Sequence, residues 1–135
     1  MPAKGAIELP AIIPFAKALY LCDGHIGMAN QKTDLVGIFN SIRAPTYPHV
    51  QQHFVIFAQL IGGLGQIPFY FDVTLSQTGQ LLHTTNTHVL NFPRRDKLIQ
   101  LAYTMQGCLF PARGVYLVEL FCDGQWVADT SLDLL

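Results

Sequence analysis

The sequence predicts an all-β domain, an antiparallel sandwich of about seven to eight strands. Val, Ile, Thr and the aromatic residues together number 42, whereas Glu occurs twice and Lys four times. The first group suits a pleated, half-buried surface, and the second is typical of exposed helix faces. The 11 glycines and 8 prolines supply turns. Apolar and polar residues alternate strictly over Ile67–Leu75, which indicates a strand with one buried face.

Length and charge limit the number of domains and the classes of partner. The 135 residues fit a single domain. Hydrophobic residues make up 50% of the chain and charged residues 13%, which excludes intrinsic disorder. The formal net charge is −1, so the chain has no strong electrostatic attraction to nucleic acid or to anionic lipid. No nucleic-acid partner is therefore expected.

The sequence also predicts a cytoplasmic protein without a membrane span. Its longest apolar stretch covers residues 54–65, whereas a spanning helix needs about 20 residues. Glu8, Pro10 and Pro14 interrupt any signal-peptide core near the start of the sequence. The three cysteines form no Cys-x-x-Cys pair, which fits a reduced protein whose thiols serve as small core residues.

The first half of the chain predicts three strands after an irregular lead-in. Residues 1–14 contain three prolines and form that lead-in, so the single domain spans residues 15–135. Pro45 and Pro48 force extended geometry on the residues before them, which indicates a crossing between sheets. The predicted elements are a strand over Phe15–Cys22, an exit loop over Asp23–Lys32, a strand over Thr33–Ile42, a crossing over Arg43–Val50 and a strand over His53–Ile61.

The second half predicts five more strands joined by turns. Asp123-Gly124 between two apolar-rich runs is a strong hairpin signal, because both central residues of a type I′ turn need positive φ. Gly79 and Gly114 mark two other structural turns. Irregular strand lengths favour a sandwich over the main alternative, a closed barrel around a ligand cavity. The predicted elements are a hairpin loop over Gly62–Gly65 and strands over Ile67–Leu75, Leu81–Phe92 (near an edge), Leu98–Met105, Val115–Cys122 and Gln125–Leu134.

Several motifs follow one another in an order that resembles a known family. They are Cys22-Asp23 after an apolar strand, Leu35-Val36-Gly37-Ile38-Phe39, Pro45-Thr46-Tyr47-Pro48, Phe54-x-x-x-Ala58-x-Leu60, Pro111-x-x-Gly114-x-Tyr116 and the Asp123-Gly124 hairpin. In this order, over residues 16–130, the chain is similar to small uncharacterised bacterial proteins with an immunoglobulin-like β-sandwich fold. The resemblance implies that fold and a bacterial source, but no activity.

The histidines and cysteines do not form a recognisable catalytic or metal-binding pattern. His83 and His88 are five residues apart and point to opposite faces of one strand. His49 and His53 would lie about 13 Å apart along a strand, too far for one metal ion. Cys22-Asp23-Gly24-His25 resembles a thiol with an imidazole nearby, but Cys122-Asp123-Gly124 repeats its first three residues at a hairpin turn. A structural role is therefore favoured for both.

The remaining chemical groups are equally weak signals. None of the three serines, Ser41, Ser76 and Ser131, lies in a Gly-x-Ser-x-Gly elbow. Asp72, Asp129 and Asp133 fit solvated strand faces. The one basic cluster, Arg94-Arg95-x-Lys97, has no aromatic stacking residues interleaved with it. We therefore predict no catalytic, cofactor-binding or metal-binding residues.

Three functions remain open at the level of sequence. The first is a non-catalytic interaction or structural module that forms a homo-oligomer, with a dimer favoured, because so few charges leave apolar surface to be covered. The second is a carrier of a small apolar ligand. The third is an enzyme whose residues converge from separate loops. The residues expected to line the carrier's cavity are Phe54, Phe57, Phe69, Phe71 and Tyr103.

Overall fold

A computed structural model describes residues 10–135 and arranges ten strands of this range in two packed sheets. The first sheet has the strand order β2-β1-β4-β8, and the second has the order β3-β10-β9-β5-β6, with β7 also paired to β5. The strands are β1 (Phe15–Gly27), β2 (Thr33–Phe39), β3 (Ser41–Ile42), β4 (His49–Ile61), β5 (Gly65–Leu75), β6 (Leu81–Thr84), β7 (His88–Phe92), β8 (Ile99–Phe110), β9 (Gly114–Cys122) and β10 (Gln125–Leu134). The predicted all-β sandwich is confirmed.

The core lies between the two sheets and is built from alternate residues of the central strands. The alternation predicted for β5 is confirmed, because its apolar positions from Ile67 to Val73 are buried and the residues between them are partly exposed. This face of β5 packs in one cluster with a matching face of β4. The side chains from these two strands are Phe54, Ile56, Ala58, Leu60, Ile67, Phe69, Phe71 and Val73.

Two connections near the C-terminus join β8, β9 and β10. Cys122 pairs with Gln125, so Asp123 and Gly124 form a two-residue turn, with φ of 52° and 73°. At the crossing from β8 to β9, the buried Tyr116 hydroxyl donates to the Ala112 carbonyl oxygen at 2.5 Å. This contact resembles the tyrosine corner of immunoglobulin-like sandwiches, in which a hydroxyl fixes the backbone a few residues upstream.

The first strand is longer than predicted, and the exit loop over Asp23–Lys32 is wrong for its first half. β1 continues to Gly27, which pairs with Thr33 of β2. The turn is confined to residues 28–32, where the Met28 amide donates to the Lys32 carbonyl oxygen. The backbone of β2 pairs with residues 24–27 of β1. This pairing overrides the loop-like composition of that stretch.

The predicted strand over Thr33–Ile42 is two strands in different sheets. β2 ends at Phe39 in the first sheet, whereas Ser41 and Ile42 form β3 in the second. β3 pairs with the end of β10 in parallel, an exception to the antiparallel pattern. The chain then returns to the first sheet, so the crossing predicted for Arg43–Val50 is confirmed up to the start of β4 at His49.

Gly62–Gly65 is not a hairpin loop, because β4 and β5 belong to different sheets. The segment carries the chain across the sandwich, and Leu64 forms an isolated antiparallel bridge with Ile12. An ideal Cβ at Gly63 would lie 2.9 Å from the ring of Phe92, so glycine is needed there to let the ring approach the backbone. Gly63 thus serves packing at the crossing, whereas Gly62 and Gly65 each adopt a φ of 84°.

Two other boundaries differ from prediction. The strand over Leu81–Phe92 is divided into β6 and β7, which both pair with β5 at the edge of the second sheet. The strand predicted over Leu98–Met105 runs from Ile99 to Phe110 as β8.

The lead-in over residues 1–14 falls in part outside the described residues. Within residues 10–135, helices of the length and apolarity that would cross a membrane do not occur.

Candidate interaction surfaces

The three cysteines are free and buried, and their environment does not activate them. Burial raises the pKa of the Cys108 thiol to about 11. Burial, with a smaller effect of the Asp123 carboxylate, raises the pKa of Cys122 to about 11. Burial, with a smaller contribution from Asp23, also raises the pKa of Cys22. Thiolates are the reactive form, so these thiols are poorly suited to nucleophilic catalysis at neutral pH.

The histidines make local contacts and do not converge. The ring of His88 lies 5.8 Å, centroid to centroid, from both Phe69 and Tyr103. The Nε2 atom of His49 lies 2.9 Å from the Gln51 Oε1 atom. In the part of the chain that the structure describes, no group of three His, Cys, Asp or Glu side chains is placed to hold a metal ion.

The aromatic residues of the carrier hypothesis do not line a common cavity in this arrangement. Phe54, Phe69 and Phe71 pack in the core cluster, where Phe71 contacts Tyr103 with ring centroids 5.6 Å apart. Phe57 is buried but lies outside this cluster, on the other face of β4. A depression of about 450 Å³ lies instead at one end of the sandwich, lined by residues 75–77 and 112–115.

The basic cluster of the sequence is engaged in local contacts. The Arg94 Nε atom lies 2.9 Å from the Asp96 Oδ1 atom in an exposed ion pair. The Arg95 Nε atom donates to the Gly62 carbonyl oxygen at 2.6 Å. Arg95 thereby joins this loop to the crossing between the sheets. Its guanidinium thus contributes to the fold.

The outer side of the first sheet carries an apolar surface at its β1–β2 edge. Four side chains there, Tyr20, Ile26, Val36 and Ile38, are between 45% and 57% exposed. We call this group the edge patch. Ile38 pairs with Cys22 across the two strands, so the exposed residues adjoin a buried one. Exposed apolar side chains that cluster in this way are typical of protein interaction sites.

β2 is one of several edge strands in the two sheets that expose apolar side chains. At the opposite edge of its sheet, β8 exposes Thr104, Gln106 and Leu109 and has a positive-φ glycine at position 107. In the second sheet, one edge consists of the short strands β6 and β7, which expose Leu81 and Val89. The other consists of β3 and of β10, which carries Asp129 and neighbouring hydroxyl residues. Polar side chains, bulges and short strands protect edges from pairing. β2 contains Asp34 and a positive φ at Gly37, but it also exposes Val36 and Ile38.

The outer face of the second sheet carries a different kind of surface. Tyr70 and Phe121 stack with ring centroids 5.2 Å apart and an interplanar angle of 9°. Beside them, three carboxylates come from β5, β9 and β10, at Asp72, Glu119 and Asp129. Sequence reasoning assigned Asp72 and Asp129 to solvated faces and missed Glu119. The three carboxylates can be recognised as a row only when the order of the strands is known.

A family model fits most of the chain. The match covers residues 17–135 and describes a family of unknown function, DUF6941. This protein is a DUF6941 member. The match agrees with the expected resemblance to an uncharacterised family, and the glycines and tyrosine of the predicted motifs lie within the matched range. No protein of curated function matches this DUF6941 chain.

Solved structures similar to this DUF6941 chain include other β-sandwich domains. An immunoglobulin-like protein from Pseudomonas aeruginosa is 13% identical, with 85% of this chain and 91% of that one covered and a TM-score of 0.39. The CARDB domain of a Pyrococcus furiosus protein, solved with di-metal ions, is 12% identical over 100% of both chains, with a TM-score of 0.42.

A third similar structure is a much longer protein. It is the alkylpurine DNA glycosylase of Pseudomonas fluorescens bound to DNA with an abasic site analogue, 8% identical, with 70% of this chain covered and a TM-score of 0.49. The DUF6941 chain spans 27% of the length of that glycosylase.

Proposed function

We propose that this protein is a non-catalytic β-sandwich module that forms a two-fold dimer through the edge patch and strand β2. The observation that carries the proposal is the combination, in β2, of exposed apolar side chains with a sheet edge that no other strand of residues 10–135 pairs with. The backbone N–H and C=O groups of an edge strand can pair with a further strand. Ile38 and Val36 would then be covered by the same contact.

A second copy of the chain is the occupant that fits this edge. An antiparallel pair of identical strands is closed by a two-fold axis, and closed two-fold dimers are the commonest soluble homo-oligomers. The net charge of −1 gives little repulsion between copies. Asp34 is the charged residue of β2, so two copies would bring few like charges together at the contact.

The non-catalytic part of the proposal rests on the protonated, buried thiols and the dispersed histidines. The three free cysteines also support a reducing compartment, because disulfides are rare where thiols are kept reduced. We therefore place the protein in the cytoplasm, and we retain the bacterial source that the family resemblance implies.

The experiment is sedimentation equilibrium over a range of micromolar concentrations. The wild-type chain is expected to associate reversibly to twice its mass of 15.0 kDa. Ile38→Lys is expected to remain monomeric, because a buried unpaired ammonium opposes the contact. Val89→Lys is the matched control: Val89 is 58% exposed on β7, against 57% for Ile38, and this variant should associate like the wild type.

Two results would contradict the proposal. One is a wild-type chain that stays monomeric at every concentration. The other is equal association of Ile38→Lys and the wild-type chain, which would exclude the β2 edge from the contact. Thermal unfolding of both variants serves as the folding control, since single substitutions at exposed sites usually change stability by less than about 0.5 kcal/mol.

A further inference from the structure

The outer face of the second sheet presents three aromatic side chains in a row across β5, β9 and β10. Tyr70 pairs with Phe121, and Phe121 pairs with Trp126, so the three residues point to the same side of the sheet. The first two rings stack on one another. Trp126, the single tryptophan of the chain, is 54% exposed, so its indole is available to a ligand.

The neighbouring row on the same face consists of three carboxylates. Asp72 pairs with Glu119, and Glu119 pairs with Asp129. Adjacent strands lie about 4.8 Å apart, so the three acids stand side by side. β5, β9 and β10 contain no Lys or Arg. Among the described residues, the ion pair found is Arg94–Asp96, on a loop elsewhere. No basic side chain of these three strands therefore compensates the row.

The fold does little to satisfy this charge. The Glu119 Oε1 atom accepts a hydrogen bond from the Thr74 hydroxyl at 3.0 Å. The Asp72 Oδ1 atom is buried and has no hydrogen-bond partner within residues 10–135. Like charges directly opposite one another destabilise a sheet, and a buried unpaired carboxylate oxygen is costly. A positively charged ligand beside the row would reduce the repulsion between the three carboxylates.

We propose that this face, the aromatic row with the carboxylate row beside it, binds an extended segment of a partner protein rich in Lys or Arg. Ammonium or guanidinium groups would pair with the carboxylates of Asp72, Glu119 and Asp129. A cation over the indole of Trp126 would gain a cation–π interaction, for which tryptophan is the best of the aromatic residues. The site lies on the second sheet and is separate from the edge patch of the first.

Two other ligands fit this face less well. The three acids are spread along a row across three strands and do not converge as metal ligands. A neutral sugar would stack on exposed ring faces, but Tyr70 and Phe121 turn a face toward each other. A neutral sugar could donate hydroxyl groups to the carboxylates but would leave their charges uncompensated. A cationic polypeptide makes use of both rows.

The experiment measures the fluorescence anisotropy of a labelled peptide of alternating Arg and Ser as the full-length protein is added. We expect saturable binding that is largely lost near 1 M salt, where the Debye length is about 3 Å. Glu119→Gln and Asp129→Asn should each weaken binding by up to about fivefold, and Trp126→Leu by about fivefold. Asp96→Asn, on the exposed loop between β7 and β8, changes the net charge equally and should leave binding within about twofold.

The same titration contains the results that would overturn the proposal. Equal weakening by Asp96→Asn and Glu119→Gln would show attraction to the net charge alone. Equal binding of a peptide of alternating Glu and Ser, of calcium ions, or of a neutral oligosaccharide in place of the cationic peptide would exclude the proposed ligand. Loss of folding does not confuse the result, because Glu119→Gln removes like-charge repulsion and keeps an acceptor for Thr74, so its melting temperature should not fall.

Discussion

Removal of one oxygen atom at the corner between β8 and β9 should destabilise the whole sandwich. Tyr116 is fully buried, and its hydroxyl oxygen both donates to the Ala112 carbonyl and accepts from the Ala112 amide. Tyr116→Phe keeps the ring and its edge-to-face contact with Phe110, at 5.0 Å between centroids, so it creates no cavity. The substitution removes the two hydrogen bonds that connect Ala112, in the segment between β8 and β9, to the core residue Tyr116.

The magnitude follows from these two hydrogen bonds. Loss of a part-buried hydrogen bond that leaves its partners unpaired costs about 1–3 kcal/mol. Ala112 itself is exposed, so water can replace part of the contact, and we expect a loss of about 1–2 kcal/mol. For a domain of this length, that loss corresponds to a fall of about 4–7 °C in melting temperature.

The assay is urea unfolding followed by circular dichroism, with Tyr70→Phe as the control. Tyr70 lies on the outer face, stacked on Phe121, and removal of its hydroxyl should change the free energy of unfolding by less than about 0.5 kcal/mol. If Tyr116→Phe is no more destabilising than Tyr70→Phe, the corner does not stabilise the fold as argued here.

Three further predictions concern other parts of the sandwich. Gly124→Val should lower the free energy of unfolding by more than about 1 kcal/mol, because a β-branched residue resists the φ of 73°; an unchanged urea midpoint would contradict the turn energetics. Folding raises the thiol pKa of Cys108 and Cys122 from 9.0 to about 11, so stability present below pH 9 should be lost as the pH rises towards 11. Urea titrations at pH 8 and pH 10.5 test this, and Cys108→Ala should reduce the difference. Glu119→Gln should raise the free energy of unfolding by up to about 1 kcal/mol, seen as a slightly higher urea midpoint. A clear decrease in the midpoint would contradict the like-charge argument.

Much of the fold could be predicted because its signals are local. The alternation of β5 and the Asp123-Gly124 turn each depend on residues adjacent in sequence. The division of Leu81–Phe92 depends on a distant partner: the Thr85 hydroxyl oxygen accepts from the Phe71 amide at 2.9 Å. This side chain takes the place of a backbone carbonyl and interrupts the strand. Nothing in the local pattern around Thr85 indicates that contact.

The break after Phe39 has a similar origin. β3 exists because Ser41 and Ile42 pair with Asp133 and Leu134, about 90 residues later in the chain. The candidate surfaces were equally inaccessible to sequence reasoning. Apolar composition predicted an uncovered surface, but only the order β2-β1-β4-β8 shows that part of it lies on an edge strand, β2. Glu119 likewise becomes part of an acidic row through the strands on either side of it.

Hydrogen–deuterium exchange of the β2 amides, measured at several protein concentrations, shows whether two copies pair through the β2 edge. If two copies pair through this edge, the outward-facing amides of Thr33–Phe39 should become more protected as concentration rises. The amides at the opposite edge, in β8, should not change. Protection in β2 that is independent of concentration, or that rises equally in β8, would contradict a dimer formed through the β2 edge.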